Sequence, residues 1–282
     1  MTVALITKTR SFLESSEWLL EPWAEIGAAN KNFQNQLVDI LVHIPGFLQD
    51  QGELEQSFDA ELEQSLTRRV EFQVERLFQW RWRWEESNLN AVWEIEPDQL
   101  STETPLSSMR PAGPVLMFSS FTRAAEISLY NAVLLCLLGL LWTLKHSEES
   151  TPSPVAETTS PLNLPTDVTS LTEPALEICR TFEYQVAHAS KNSASALFWL
   201  FPLGLASKVL EDDPTMMRWI KSMLETSQIT KGYGTGANTY GFGFYKFPAI
   251  KRRKADIKPL IQPYYRREIV HRILEGSWAE EQ

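Results

Sequence analysis

The chain predicts an all-α fold, a multi-helix bundle around one long buried central helix, with a disordered insertion. Three observations lead there. Val115 to Leu144 is an apolar block with no charged residue between Glu126 and Lys145. Several other stretches space their apolar residues three and four apart, the period of a helix packed on one face. No stretch alternates apolar and polar residues as a half-buried strand does.

The central block comes first because everything else must cover it. Thirty residues of helix measure about 45 Å, enough to cross a domain of this size. A helix apolar all round is buried on every side, in a protein or in a bilayer. A span needs about 17 to 25 apolar residues, and Ser128 and Asn131 shorten the strongly apolar part here. The flanks carry Arg123 on one side and Lys145 with His146 on the other, so they give no positive-inside asymmetry. Phe118, Phe121, Ala125 and Ile127 also fall roughly on one side of the first half. A buried protein helix is the expectation, and a membrane span the minor reading.

In chain order, residues 11 to 50 read as one or two helices, with Leu13, Trp18, Leu19 and Trp23, then Phe33, Leu37, Ile40 and Leu41. Pro45-Gly46 ends the second. From Leu54 to about Trp84 the apolar positions Leu62, Leu66, Val70, Val74, Leu77, Phe78 and Trp82 keep a helical period. Its other face mixes Glu61, Arg68, Arg69, Glu75 and Arg76, the pattern of a solvated surface. Residues 87 to 114 read as loop, punctuated by four prolines, the last of which, Pro114, suits the first turn of the central helix. Ser147 to Ser170 is rich in Ser, Thr, Pro and Glu, and is expected to be disordered or loosely tethered.

Thr172 is the expected N-cap of the next helix, which sets Ala175, Ile178, Cys179, Phe182 and Val186 on one face. Ser195 to Leu210 is another apolar helix, with Pro202 at its middle as a kink or a break. Asp213-Pro214 starts a further helix with core face Met217, Ile220, Met223 and Leu224. The organisation expected is therefore a single helical domain with residues 1–146 and 171–245 as its two parts. The insertion 147–170 separates them, and a basic C-terminal segment, 246–282, follows.

Apolar content of 43% with 22% charged residues is an ordinary globular balance, so a sizeable core can form. A net charge of −10 opposes a nucleic-acid-binding surface over most of the chain, because phosphate contacts need Lys and Arg in excess. The sign reverses from Lys246 to Arg272, where nine basic residues face only Asp256 and Glu268. Within it Lys251, Arg252, Arg253 and Lys254 form a short basic run of the nuclear-localisation kind, a pattern that solvated loops also show. The two cysteines, Cys136 and Cys179, lie in apolar helical context and read as reduced core residues. The opening MTVALITKTR lacks a basic n-region, and no Asn-x-Ser/Thr sequon occurs, so an intracellular protein is expected.

Patterns that carry chemistry are few in this chain. His43, His146, His188 and His271 are scattered without metal-ligand spacing. No G-x-S-x-G elbow or H-E-x-x-H helix is present. Glu211-Asp212-Asp213 resembles half of a magnesium-binding pair of a terpene-cyclase-like site, but Pro214 follows and the second carboxylate a turn later is missing. Gly232, Gly234 and Gly236 hint at a phosphate loop without the flanking strand and helix such a loop requires. Cys179 beside Arg180 reads as core rather than an activated thiol. Trp80 to Glu86, WRWRWEE, interleaves aromatic and basic residues that can stack on bases. On an acidic chain the stronger reading is that the tryptophans pack while Arg81 and Arg83 stack on rings or pair with Glu85 and Glu86. Glu183, Tyr184 and His188 are the polar candidates inside the bundle, and only Tyr184 and His188 share a face.

Four segments in order carry a family resemblance: Leu77 to Asn90 (LFQWRWRWEESNLN), Val115 to Leu144 through Leu129-Tyr130-Asn131-Ala132, Glu177 to Tyr184 (EICRTFEY) and Phe198 to Ala206 (FWLFPLGLA). Over roughly residues 10 to 230, the chain resembles the C-terminal regulatory domain of fungal binuclear zinc-cluster transcription factors. The resemblance implies an all-helical, nuclear regulatory domain with no catalytic, cofactor-binding or metal-ligating residues to carry over. The six-cysteine cluster that places a helix on DNA in that family has no counterpart here. Direct nucleic-acid binding is therefore not expected. The expected partners are proteins, an intact zinc-cluster regulator or a second copy of this chain, together with a small-molecule effector. The runner-up is a helical enzyme or ligand-binding accessory protein of a fungal biosynthetic pathway.

Overall fold

The protein is described by a computed structural model covering residues 2–25, 27, 30–96, 114–145, 161–188, 196–226 and 257–266. Among these, short helices α1 (Thr2–Thr7) and α2 (Ser16–Leu19) lead into α3 (Phe33–Leu41), α4 (Ile44–Gln56) and α5 (Ala60–Ser87). Strands β1 (Val92–Ile95) and β2 (Val115–Phe118) precede α6 (Phe121–Leu144). Then come α7 (Thr172–His188), α8 (Ala196–Val209), α9 (Pro214–Thr226) and α10 (Lys258–Arg266). The fold is an all-α bundle around a buried central helix, as the sequence predicts.

That helix is α6. It packs against α3, α4 and α5 on one side and α7 and α8 on the other. From Tyr130 to Leu141 every residue is buried, and each fully buried Leu contributes about 1.5–3 kcal/mol. α6 is long and apolar enough to cross a membrane, and its most apolar window is covered by neighbouring helices.

The helix starts later than expected. Val115–Phe118 is strand β2, paired antiparallel with β1 in the register Val92↔Phe118 to Ile95↔Val115. Ser120 separates the two elements, its Oγ accepting from the Arg123 amide at 3.4 Å. A run of four apolar residues fits strand and helix alike, and here the capping serine divides it. Pro114 accordingly lies before a strand rather than in the first turn of a helix, and the stretch read as loop contains β1.

Asp59 divides the predicted 54–84 helix in the same way. Its Oδ1 accepts from the amides of Glu61 (2.9 Å) and Leu62 (3.2 Å), capping α5. Pro45 sits in the first turn of α4, where its missing N–H costs nothing, rather than ending a helix. At α7 the capping residue is Ser170, not Thr172: Ser170 Oγ accepts from the Thr172 amide (3.1 Å), and Glu173 Oε2 accepts from the Ser170 amide (2.7 Å). Helix α8 runs through Pro202. Asp213 caps α9 by accepting from the amides of Thr215 and Met216.

Residues 147–160 of the predicted insertion lie outside the described residues. Residues 161–170 are packed: Leu162, Pro165 and Val168 are buried around a 3-10 turn at Pro165–Asp167. The Ile257 amide donates to the Thr169 carbonyl at 2.9 Å and brings α10 in beside this segment. There Ile257, Leu260 and Ile261 join the core. The basic run Lys251–Lys254 and the glycines 232, 234 and 236 lie outside the described residues.

Candidate functional site

The WRWRW segment is where the helices meet. Trp80 is fully buried, donates Nε1 to the Phe33 carbonyl (2.9 Å) and stacks on Tyr130 of α6 at 5.6 Å between ring centroids. Trp84 Nε1 donates to Glu126 Oε2 (2.8 Å), which also accepts from Arg123 Nη1 (2.7 Å). Arg81 is 0% exposed; its Nη1 donates to Glu85 Oε2 (2.7 Å) and its guanidinium lies over the Trp84 ring at 5.3 Å. Arg83 differs from expectation, because it donates to Gln36 Oε1 (3.2 Å) rather than pairing with Glu86.

A second polar group lies between α6, α7 and the 161–170 segment. Glu177, 2% exposed, accepts through Oε1 from Asn131 Nδ2 (2.8 Å). Its Oε2 accepts from the amide (2.7 Å) and Nδ2 (2.8 Å) of Asn163. Burial raises the Glu177 pKa, against the opposing pull of those donors and of the Arg81 and Arg180 charges. Burial likewise raises Tyr130, whose hydroxyl is unpartnered, as are Arg81 Nε and Nη2. This network ties three segments together, and the sequence reading missed it. Its only visible signal is a Glu on the core face of α7, which becomes meaningful once Asn131 and Asn163 are placed beside it.

The polar candidates named from the sequence are otherwise engaged. Tyr184 donates to the Phe118 carbonyl (3.1 Å), and His188 stacks on Tyr184 at 4.5 Å with Nδ1 3.0 Å from the Tyr184 carbonyl. Cys136 and Cys179 are buried thiols whose pKa values burial pushes up. Glu211 pairs with Lys208, and Asp213 is a helix cap. Among the described residues no group of three His, Cys, Asp or Glu side chains is placed to hold a metal.

Two clefts open on the surface near α5. The one of about 350 Å3 has Arg10, Glu14, His43, Phe47, Arg68 and Arg69 among its lining residues. Arg10 pairs with Glu14 and with Asp50 (2.7 Å), Arg69 pairs with Asp50 (2.6 Å), and Arg68 is held by the neutral Gln64. Burial lowers the His43 pKa.

The larger cleft, about 450 Å3, lies between α3, α5 and the segment after α2. Helix α5 supplies Arg76, Gln79, Trp80 and Arg83 from one face, spaced i, i+3, i+4 and i+7. Lys31 fixes the opposite wall: its Nζ donates to the Leu19 carbonyl (2.8 Å) and to Asp39 Oδ2 (2.6 Å). Gln36 braces both sides, donating to the Lys31 carbonyl (2.7 Å) and accepting from Arg83. Arg76 is held by Gln73 Oε1 (3.1 Å) and lies over the Phe72 ring at 5.9 Å. Desolvation pulls both arginine pKa values below the ordinary guanidinium range. The sequence placed Arg76 on a solvated face and left Lys31 and Gln36 unremarked, since only the packing of α3 on α5 brings them together.

No family model, curated protein or solved structure matches the chain.

Proposed function

We propose that this chain is a non-enzymatic regulatory domain of the fungal zinc-cluster transcription-factor type that lacks its own DNA-binding module. It acts in transcriptional regulation, including that of secondary metabolism, through protein or small-molecule contacts. The observation that supports this most is the 450 Å3 cleft beside the WRWRW face, within the 300–1,000 Å3 range of small-molecule sites. Its lining offers charge and hydrogen-bonding groups for recognition, and its one carboxylate, Asp39, is engaged by Lys31. Its place is the nucleus, with the cytoplasm as a second location, and its protein partner is an intact zinc-cluster regulator or a second copy. Direct contact with nucleic acid and insertion in a membrane form no part of the reading.

The test is a tethered reporter. The full chain is fused to an unrelated DNA-binding domain, and reporter output is measured against that domain alone across growth conditions. A change in output in either direction supports a regulatory domain. Output equal to that of the bare domain under every condition overturns it. The second reading, a ligand-binding accessory protein of a biosynthetic pathway, draws on the same cleft, and metabolite profiles of a strain lacking the protein address it: accumulation of one intermediate with unchanged transcript levels favours it.

A further inference from the structure

The two clefts share a helix, and the way the larger one holds its arginines beside an apolar wall identifies a ligand class. In the smaller one Arg10 and Arg69 already hold the carboxylates of Glu14 and Asp50, and Arg68 is held by Gln64. In the larger one Lys31 pairs with Asp39 at 2.6 Å, whereas Arg76 and Arg83 are held by the neutral amides of Gln73 and Gln36. Lys31, Arg76 and Arg83 against Asp39 leave the lining with a surplus of about two positive charges, on a chain whose net charge is −10. Arg76 is half-buried and Arg83 exposed, and among the described residues neither is in an ion pair, so both keep N–H donors for an anion that enters the cleft.

We infer that the larger cleft binds a small organic carboxylate with an apolar body. Arg76 and Arg83 stand about two turns apart on one face of α5, with Gln79 and Trp80 between them. The planar guanidinium fork fits a carboxylate in a two-pronged contact, which a point charge such as Lys does not reproduce. Leu19, Leu20, Ile40 and Trp80 supply the apolar wall for the rest of the molecule. The inference rests on the reading of this cleft as an effector site, and it adds the chemistry of the effector.

The experiment uses the full chain and two matched probes, 2-naphthoate and its neutral amide, 2-naphthamide, measured by isothermal titration calorimetry. The expected result is saturable binding of the carboxylate, with the amide about tenfold weaker, the scale of one charge-assisted contact at a partly exposed site. R76Q and R83Q should each weaken the carboxylate about tenfold without changing the amide. R83K should recover less than half of the loss on a logarithmic scale, because Lys lacks the fork. Far-ultraviolet circular dichroism of each variant confirms that the bundle is intact. Equal binding of acid and amide, unaffected by either substitution, overturns carboxylate recognition while leaving a small-molecule cleft in place. No binding of either probe also overturns the ligand class, and the tethered reporter then judges the regulatory reading by itself.

Discussion

Glu177 is a carboxylate whose charge the bundle disfavours, and replacing it should reveal that cost with a definite sign. Two substitutions separate its charge from its hydrogen bonds. Glu177→Gln keeps the shape and removes the charge, and it replaces one of the two accepting oxygens by a donor nitrogen. Because the native pKa is raised above the ordinary 4.5, the native state holds the proton over a range where the unfolded chain has lost it. Stability therefore falls as pH rises from about 4.5 through the native value, by about 1.4 kcal/mol for each unit between the two. The Gln variant lacks this loss. It should be about 1 kcal/mol less stable than the parent near pH 4, where its amide nitrogen faces a donor that a Glu177 oxygen accepted from, and should gain on the parent as pH rises.

Glu177→Leu behaves differently. It orphans one N–H of Asn131, which is 1% exposed and keeps its second N–H on the Ile127 carbonyl at 3.1 Å. That costs about 1–3 kcal/mol. The two donors of half-buried Asn163 regain water in part and add about 1 kcal/mol. Urea unfolding followed by tryptophan fluorescence, at pH values from 4 to 8, measures both. A Gln variant that grows less stable than the parent as pH rises refutes the reasoning. It would mean that Arg81, Arg180 and the asparagine donors outweigh burial and that the native pKa is depressed.

Other substitutions test other parts of the fold. Asp50→Ala removes the carboxylate that holds both Arg10 and Arg69. Discounting for the exposure of the two arginines, the cost should be about 1–2 kcal/mol, and limited trypsin digestion should cleave faster after Arg10. Leu137→Ala at a fully buried position on α6 should cost about 3 kcal/mol by the same urea assay, and a loss under 1 kcal/mol would show that α6 is not packed on all sides. Cys136 and Cys179, buried and with raised pKa values, should be unreactive to a thiol-specific reagent in the native protein and both react in urea. Rapid native labelling of either would contradict the burial described for it.

Helical periodicity carried most of the fold. The spacing of Leu66, Val70, Val74 and Leu77 on α5 is the buried stripe seen in the structure, and the apolar block at Glu126–Lys145 is the helix with most neighbours. Boundaries were harder because short polar residues set them. Asp59 and Ser120 each cap a helix, and on paper they look like any polar residue inside a longer apolar pattern. The 161–170 segment was misjudged for another reason: three buried side chains and the hydrogen bonds to Glu177 and Ile257 hold it, and composition does not register such distant partners.

The candidate site divides in the same way. The sequence by itself showed which stretches must leave water, so the central helix and the packing of the WRWRW tryptophans were legible in it, although it set Trp82 on the buried stripe where the structure buries Trp80 and Trp84. It also determined that α5 carries Arg76 and Arg83 on one side. The tertiary structure decided which polar groups meet. It set Glu126 against Trp84, Glu177 against Asn131 and Asn163, and Lys31 and Gln36 across from the arginines. Burial follows from local composition and period, which a single chain displays openly. Pairing depends on distances between residues far apart in sequence, and those exist only once the helices have packed.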